Sequence, residues 1–265
     1  MPLYNTKPVF LILLPLLMLH RNWDLSFELS NFYGPYINDI INYEGDAVES
    51  NGTIQLTKVN NGINMPYSVG RASYAIPIRL FDPAIGLASF TTTFSFLVTS
   101  NGQSKGDGIA FFMAGPNHSK IPESSSGGYL GLFSPETAFK PIINQIVAVE
   151  FDTFANEWDP PYAHVGINAN SIRSETTERW GIDSVESNLS TVVATVSYDN
   201  RNDTLSVIVN TVNGTTISLS WVADLRGYLP DWIIVGFSGA TGGLVETHKI
   251  LSWTFSSYKY SYRFN

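Results

Sequence analysis

Cysteine is absent from the chain, so neither a disulfide framework nor a thiolate metal site can form. Charge is scarce too: 14% of the 265 residues are charged, against roughly 25% in an average soluble domain. No run of one sign marks a charged tail. The net charge of −8 excludes the basic footprint that a nucleic-acid partner requires. Helical periodicity is nearly missing, and no apolar run reaches the roughly 20 residues of a membrane-spanning helix. The longest, residues 9–19, follows Lys7 and has the length of a signal-peptide core. A small-residue cleavage signature does not follow it, since His20, Arg21, Asn22 and Trp23 come next. We assign residues 1–23 to a signal peptide with its cleavage point open, which routes the chain into the secretory pathway, secreted or vacuolar.

What the chain does have is apolar content (44%) and aromatics (13%), enough to bury a sizeable core in one large β domain or two small ones. Strand alternation recurs. Phe90, Thr92, Phe94, Phe96 and Val98 share one face, and Thr91, Thr93 and Ser95 the other. Val192, Ala194, Val196 and Tyr198 repeat the pattern; a polar turn at 199–203 then leads into Leu205, Val207 and Val209, a hairpin signature. Leu251, Trp253 and Phe255 form a last inward-facing set. Short strands punctuated by Gly, Asn and Pro predict an all-β sandwich or jelly roll. We see no repeat and no linker, so residues 24–258 read as one domain and 259–265 as a C-terminal tail. The Ser- and Gly-rich stretch 117–128 reads as an exposed loop. N-x-S/T triplets at Asn51, Asn117, Asn188, Asn202 and Asn213 are candidate glycosylation sites.

Chemistry concentrates between positions 147 and 164. On a strand, Glu150 and Asp152 point to the same face roughly 7 Å apart, and Asn156, Asp159 and His164 follow in a loop stiffened by Pro160 and Pro161. No Lys or Arg lies in this segment, so the carboxylates repel one another unless a divalent cation neutralises them. Oxygen ligands suit calcium; carboxylates with one imidazole suit manganese or another transition ion. On these residues alone, a solvated acidic loop explains the segment equally well.

The segment resembles the metal-binding signature of legume lectins, through Glu150-Phe151-Asp152-Thr153-Phe154, then Asn156, Trp158-Asp159-Pro160 and His164-Val165-Gly166-Ile167. The resemblance implies a transition-metal site from Glu150, Asp152, Asp159 and His164. It also implies a calcium site from Asp152, the Phe154 carbonyl, Asn156 and Asp159. It extends to the sugar loops of that family. Gly106-Asp107-Gly108 implies Asp107 as the hydroxyl acceptor, and Gly127-Gly128 followed by Tyr129-Leu130-Gly131-Leu132-Phe133 implies Gly128 as an N–H donor. Phe154 is implied as the stacking platform and Asn156 as a ligand of both calcium and sugar. Gly243 and Leu244 are implied as main-chain donors on a short fourth loop, the form seen in mannose- and glucose-binding members. Taken singly, Asp107 between glycines reads as a turn, and Phe154 as core.

Two features depart from the family pattern: Gly106 stands where Ala usually precedes the acidic residue across a cis peptide, and Asn168 where Asp is usual. The resemblance implies a jelly-roll β-sandwich with a flat back sheet and a curved front sheet, binding glycans or glycoproteins, and pairing into a homodimer or homotetramer. An enzyme is not expected. A related glycosidase sandwich carries E-x-D-x-x-E on one strand, and Ala155 stands where its third carboxylate is needed. The remaining alternatives are a lectin-like defence or storage protein and a truncated lectin-receptor ectodomain.

Overall fold

A computed structural model describes residues 25–100, 105–181, 191–211 and 214–258. The presumed signal peptide, the C-terminal tail, Asn188 and Asn213 lie outside the described residues. Two eight-stranded antiparallel sheets dominate. In the first, the spatial order is Thr216–Val222, Thr204–Asn210, Thr191–Asp199, Ser89–Thr99, Thr247–Tyr258, Thr53–Gln55 and Val48–Ser50, and Leu25–Leu29 also pairs with Thr247–Tyr258. In the second, the order is Ser174–Arg179, His164–Ala169, Ile146–Asp152, Gly108–Ala114, Trp232–Ala240, Val69–Tyr74 and Ile41–Gly45, with Ile78–Arg79 also on Trp232–Ala240. Strands distant in sequence lie side by side, as crossing connections in a jelly roll demand.

Alternation builds the first sheet as expected. Phe90, Phe94 and Phe96 are buried, whereas Thr91, Thr93 and Ser95 are half-exposed. Thr92, a polar residue on this inner face, is fully paired: its hydroxyl donates to the Thr254 carbonyl at 2.8 Å and accepts from Trp253 Nε1 at 2.9 Å. The Thr204–Asn210 hairpin also forms, pairing with Thr191–Asp199. The last strand departs from simple alternation. Its register against Ser89–Thr99 shifts between Ser95 and Phe96, so that Phe96 faces Ile250 and Ser95 faces Ser252. Leu251 is the extra residue of this bulge; Ile250 turns inward in its place, and Leu251 is only half-buried.

The inner faces meet through aromatic rings. Phe94 and Phe237 lie 4.9 Å apart between centroids, Phe237 and Trp253 4.8 Å, and Phe96 and Phe151 4.7 Å. Each such side chain contributes about 1.5–3 kcal/mol by leaving water. The second sheet is covered on both faces. Phe111, Val149 and Phe151 pack toward the first sheet, while Ala110, Phe112, Ile146 and Ala148 pack under Leu130, Leu132 and Phe133 of the connection that follows Ala114. Gly108–Ala114 and Ile146–Asp152 are therefore buried at every position, which explains their continuous apolar runs. That second covered face carries the candidate site.

Candidate functional site

Glu150 and Asp152 follow Ile146 and Ala148 along the covered outer face of the second sheet. His164 begins the neighbouring strand directly opposite Asp152. One donor atom each from Glu150, Asp152 and His164 lies within 4.8 Å of the other two, and all three residues are buried. His164 Nε2 is 3.1 Å from Glu150 Oε1, and the Ser174 hydroxyl donates to the same oxygen. Gly166, across the strand pair from Glu150, makes this possible, since a Cβ there would stand 2.5 Å from Glu150 Oε1. Asn168 donates to the Ile172 carbonyl at 2.8 Å, a bond an ionised Asp could not make.

The electrostatics match a crowded acidic pocket. Burial, and then the charges of Glu150 and Asp159, push Asp152 well above the ordinary carboxylate range. Asp159 rises to about 6, chiefly through burial, with Glu150 adding to the rise while the Asn156 amide and His164 oppose it. Burial works against the charged form of His164, but the hydrogen bond and charge of Glu150, with Asp159, outweigh it and raise its pKa. These raised values belong to a set of groups that holds protons in default of another cation. Nitrogen and oxygen donors at this spacing fit a divalent ion.

The loops that carry Asp107, Gly128 and Gly242–Leu244 converge beside this cluster. The Gly106–Asp107 peptide is cis. Asp107 is buried, and its Oδ2 has no protein partner. Burial lifts its pKa to about 6, with Glu246 adding and His248 and the Gly242 amide opposing. The Asn156 amide N–H donates to Asp159 Oδ2 at 2.9 Å, and Asn156 Oδ1 is likewise buried without a partner. Gly128 lies against Asn156 so closely that a Cβ would stand 2.6 Å from Asn156 Nδ2. Gly127 donates its N–H to the Thr241 carbonyl at 3.1 Å, and a Cβ on Gly242 would be 2.8 Å from Asp107 Oδ2. Phe154 is 39% exposed, and its N–H caps Asp152 Oδ1 at 2.8 Å. A Cβ on Gly106 would touch Phe154 Cβ at 3.3 Å and Leu244 Cβ at 3.5 Å. Gly243 is exposed beside Tyr67. The sugar-loop residues singled out in the sequence thus gather in one place.

Sequence reasoning missed several residues that hold this place together. Residues 117–128 are not a free loop. Arg71, fully buried and stacked on Phe112 at 4.8 Å, donates to the carbonyls of His118, Ser119, Lys120 and Gly131 at 2.6–3.1 Å. Buried Glu246 accepts from Thr153 Oγ1 at 2.6 Å and pairs with His248 Nε2 at 2.9 Å. The carbonyls that Arg71 meets lie at least 47 positions away and Thr153 lies 93 from Glu246, so no local pattern announces these contacts. Asn51, Asn117 and Asn202 are exposed. Among the described residues, no helix is long and apolar enough to cross a membrane.

A two-sheet jelly roll with an acidic donor cluster under converging glycine-rich loops defines a carbohydrate-binding class of protein. Comparisons make the class specific. Residues 24–263 match the model of the legume lectin domain. Lectin 7 of Medicago truncatula is 48% identical over 266 residues, covering 96% of this chain and 97% of its own. Among solved structures, the metal-free form of lectin I-B4 from Griffonia simplicifolia superposes with a TM-score of 0.83 at 40% identity, over 88% of this chain and 99% of that one. A lectin from Bauhinia forficata in complex with GalNAc gives 0.80 at 40% identity, over 89% and 99%. The chain belongs to the legume lectin family.

Proposed function

We propose that this protein is a secreted lectin, dependent on calcium and on manganese or another transition ion, that binds glycans of the mannose or glucose type. The observation that carries the reading is the meeting of Asp107, Gly128 and Asn156 beside the acidic cluster, with Asp107 Oδ2 and Asn156 Oδ1 buried and unpartnered. Buried polar atoms are costly unless satisfied. A carboxylate oxygen is a natural acceptor for sugar hydroxyls, and an amide oxygen for a hard cation.

Glu150, Asp152, Asp159 and His164 would hold the transition ion, and Asp152, the Phe154 carbonyl, Asn156 and Asp159 the calcium. When bound, the ions supply the positive charge that these carboxylates lack. The residues then do the rest. Asp159 fixes the Asn156 backbone, Asn156 packs on Gly128, and Asp107 accepts hydroxyls while the Gly128, Gly243 and Leu244 N–H groups donate. Phe154 offers its exposed ring to the C–H face of the sugar. No role in this scheme calls for bond breaking.

The short fourth loop supports mannose or glucose, as does a 40% identical relative from Arachis hypogaea named as an alpha-methyl-mannoside-specific lectin. The GalNAc held by the Bauhinia lectin makes galactose-type sugars the competing class. Glycosylation at the sequons and pairing into a dimer or tetramer complete the reading. A glycan array with calcium and manganese, repeated with chelator and with Asp107→Ala, tests it. Binding to mannose-terminated glycans, abolished in both controls, is the expected result. Full affinity in excess chelator refutes the metal dependence, and no glycan bound under any condition refutes the lectin activity.

A further inference from the structure

Asn51 and Gly52 form the tip of a two-residue hairpin. Ser50 pairs with Thr53 across it. Both tip residues have positive φ, 53° and 78°, the conformation that tight hairpins between twisted strands prefer and that Asn-Gly supplies. Side chains pin the turn: Gly52 N–H donates to Glu49 Oε1 at 2.7 Å, and the Thr53 hydroxyl to the Ser50 carbonyl at 2.7 Å. The segment that follows Leu25–Leu29 is tied to the same tip. Phe32 N–H donates to the Gly52 carbonyl at 3.0 Å, and the Phe32 ring is wholly buried. Tyr33, by contrast, is 75% exposed, while its N–H is held by Asn31 Oδ1 at 2.9 Å. Between tip and segment lies a groove of about 660 Å³. Tyr33, Glu49, Asn51 and Leu251 line it, the last being the residue that the bulge leaves half-buried.

We infer that this groove seats the first N-acetylglucosamine of a glycan carried on Asn51 itself, with the C–H face of the sugar against Tyr33 and Leu251. The inference rests on the glycosylation of Asn51-Gly52-Thr53 proposed above and is independent of the loops around Asp107. Small-molecule pockets span about 300–1,000 Å³, so the groove has room for a monosaccharide and its N-acetyl arm. The occupant is tethered, because its anomeric carbon takes the place of one hydrogen on Asn51 Nδ2. Tethering makes docking an intramolecular step at an effective concentration on the order of millimolar. A contact too weak to capture free sugar still forms under that condition. An exposed aromatic offers an apolar face to the pyranose C–H groups, and the Glu49 carboxylate can accept a hydroxyl. The Phe32–Gly52 link already fixes the Tyr33 backbone, so little freedom is lost on contact. The sugar in turn staples the Tyr33 segment to the hairpin tip.

The test uses the full chain made in a host that attaches high-mannose N-glycans, trimmed enzymatically to one N-acetylglucosamine per occupied site. Peptide mass spectrometry reads the occupancy of Asn51. Asn51→Asp removes the sequon while accepting the left-handed backbone; Tyr33→Ser removes the ring, and Tyr33→Phe keeps it. In the glycosylated chain, Tyr33→Ser should lower the melting midpoint by roughly 2–4 °C, the shift of one aromatic contact in a chain of this size. Tyr33→Phe should leave it unchanged. In the Asn51→Asp background the Tyr33→Ser shift should vanish. By nuclear magnetic resonance, the sugar C–H signals that disappear in Asn51→Asp should lie upfield in the wild type, moved by the Tyr33 ring current, and should return in Tyr33→Ser to their ordinary positions. An equal loss of midpoint in both backgrounds, or sugar signals at ordinary positions in the wild type, overturns the docking and leaves the sequon and the lectin reading intact. Asn51 found unmodified refutes the sequon, and the docking with it.

Discussion

The Thr153 hydroxyl lies 2.6 Å from Glu246 Oε1, a bond that joins the loop after Asp152 to the loop before Thr247 beneath the candidate site. The same hydroxyl is 3.0 Å from the Asp107 carbonyl, which also accepts the Thr153 N–H at 2.8 Å. His248 backs the carboxylate through Nε2, and its Nδ1 meets the Thr57 hydroxyl at 3.0 Å. Thr153→Val keeps the shape and deletes the hydroxyl. It leaves Glu246 Oε1 with His248 Nε2 alone, at a cost of about 0.5–1.5 kcal/mol for the lost bond. The thermal midpoint should drop and sugar affinity should weaken, while the metal content per chain stays that of the wild type. Calorimetry for sugar beside elemental analysis for metal checks it; unchanged sugar affinity would show that the bond does not position Asp107.

Arg71 makes a second prediction. Its planar fork satisfies carbonyls on both arms of the loop that carries Gly128. Burial lowers its pKa to about 10, so the charge persists at neutral pH. Lysine offers a point charge without the fork and strands several of those carbonyls. Arg71→Lys should destabilise the fold by at least about 2 kcal/mol in denaturant titrations. Amide hydrogen exchange should speed up in residues 118–132 more than in the Ser89–Thr99 strand.

How far the molecule was legible in its sequence depends on which interactions are local. The Phe90–Phe96 alternation showed its buried face because strand geometry repeats every two residues, and Glu150 and Asp152 showed a shared face for the same reason. The bulge at Leu251 was invisible, since it is a property of two strands and not of one. Taken singly, Asp107 read as a turn, and only the resemblance made it and Gly128 site residues; the structure adds the contacts, Gly242 against Asp107 and Asn156 where a Cβ on Gly128 would be. Arg71 carries no local signature, because its carbonyl partners lie 47 or more positions away. Glu246 and His248 pair two residues apart, but what ties them to the site is Thr153, 93 positions from Glu246.

Gly128 supplies a third prediction. Gly128→Ala brings a Cβ to within 2.6 Å of Asn156 Nδ2, so the Asn156 side chain must rotate away. Overpacking of this kind costs about 1–3 kcal/mol, and here it falls on a residue assigned to both calcium and sugar. Glycan binding should fall at least about tenfold, with the circular-dichroism spectrum unchanged. Wild-type affinity in this variant would remove Asn156 from the binding scheme.

The metal-free chain should respond to pH in the reverse of the usual sense. Asp107 and Asp159 titrate at about 6 when folded, above the ordinary 3.8, so the folded chain holds these protons more tightly than the unfolded chain does. Their contribution to stability is fully present below about pH 4 and is lost as pH rises through about 6. Asp152 is raised as well, and the raised pKa of His164 acts in the same direction. Asp199, held at about 2 chiefly by its hydrogen bond from Arg201, stays ionised throughout and adds no slope. The melting temperature of chelated protein should therefore fall between pH 4.5 and 7, intervals set by the pKa of about 6. With calcium and manganese at saturation the slope should flatten or reverse, because ligands must shed their protons to bind metal. A melting temperature that rises with pH in the chelated protein would mean that these carboxylates are solvated and far apart, and that no cation is needed to hold them together.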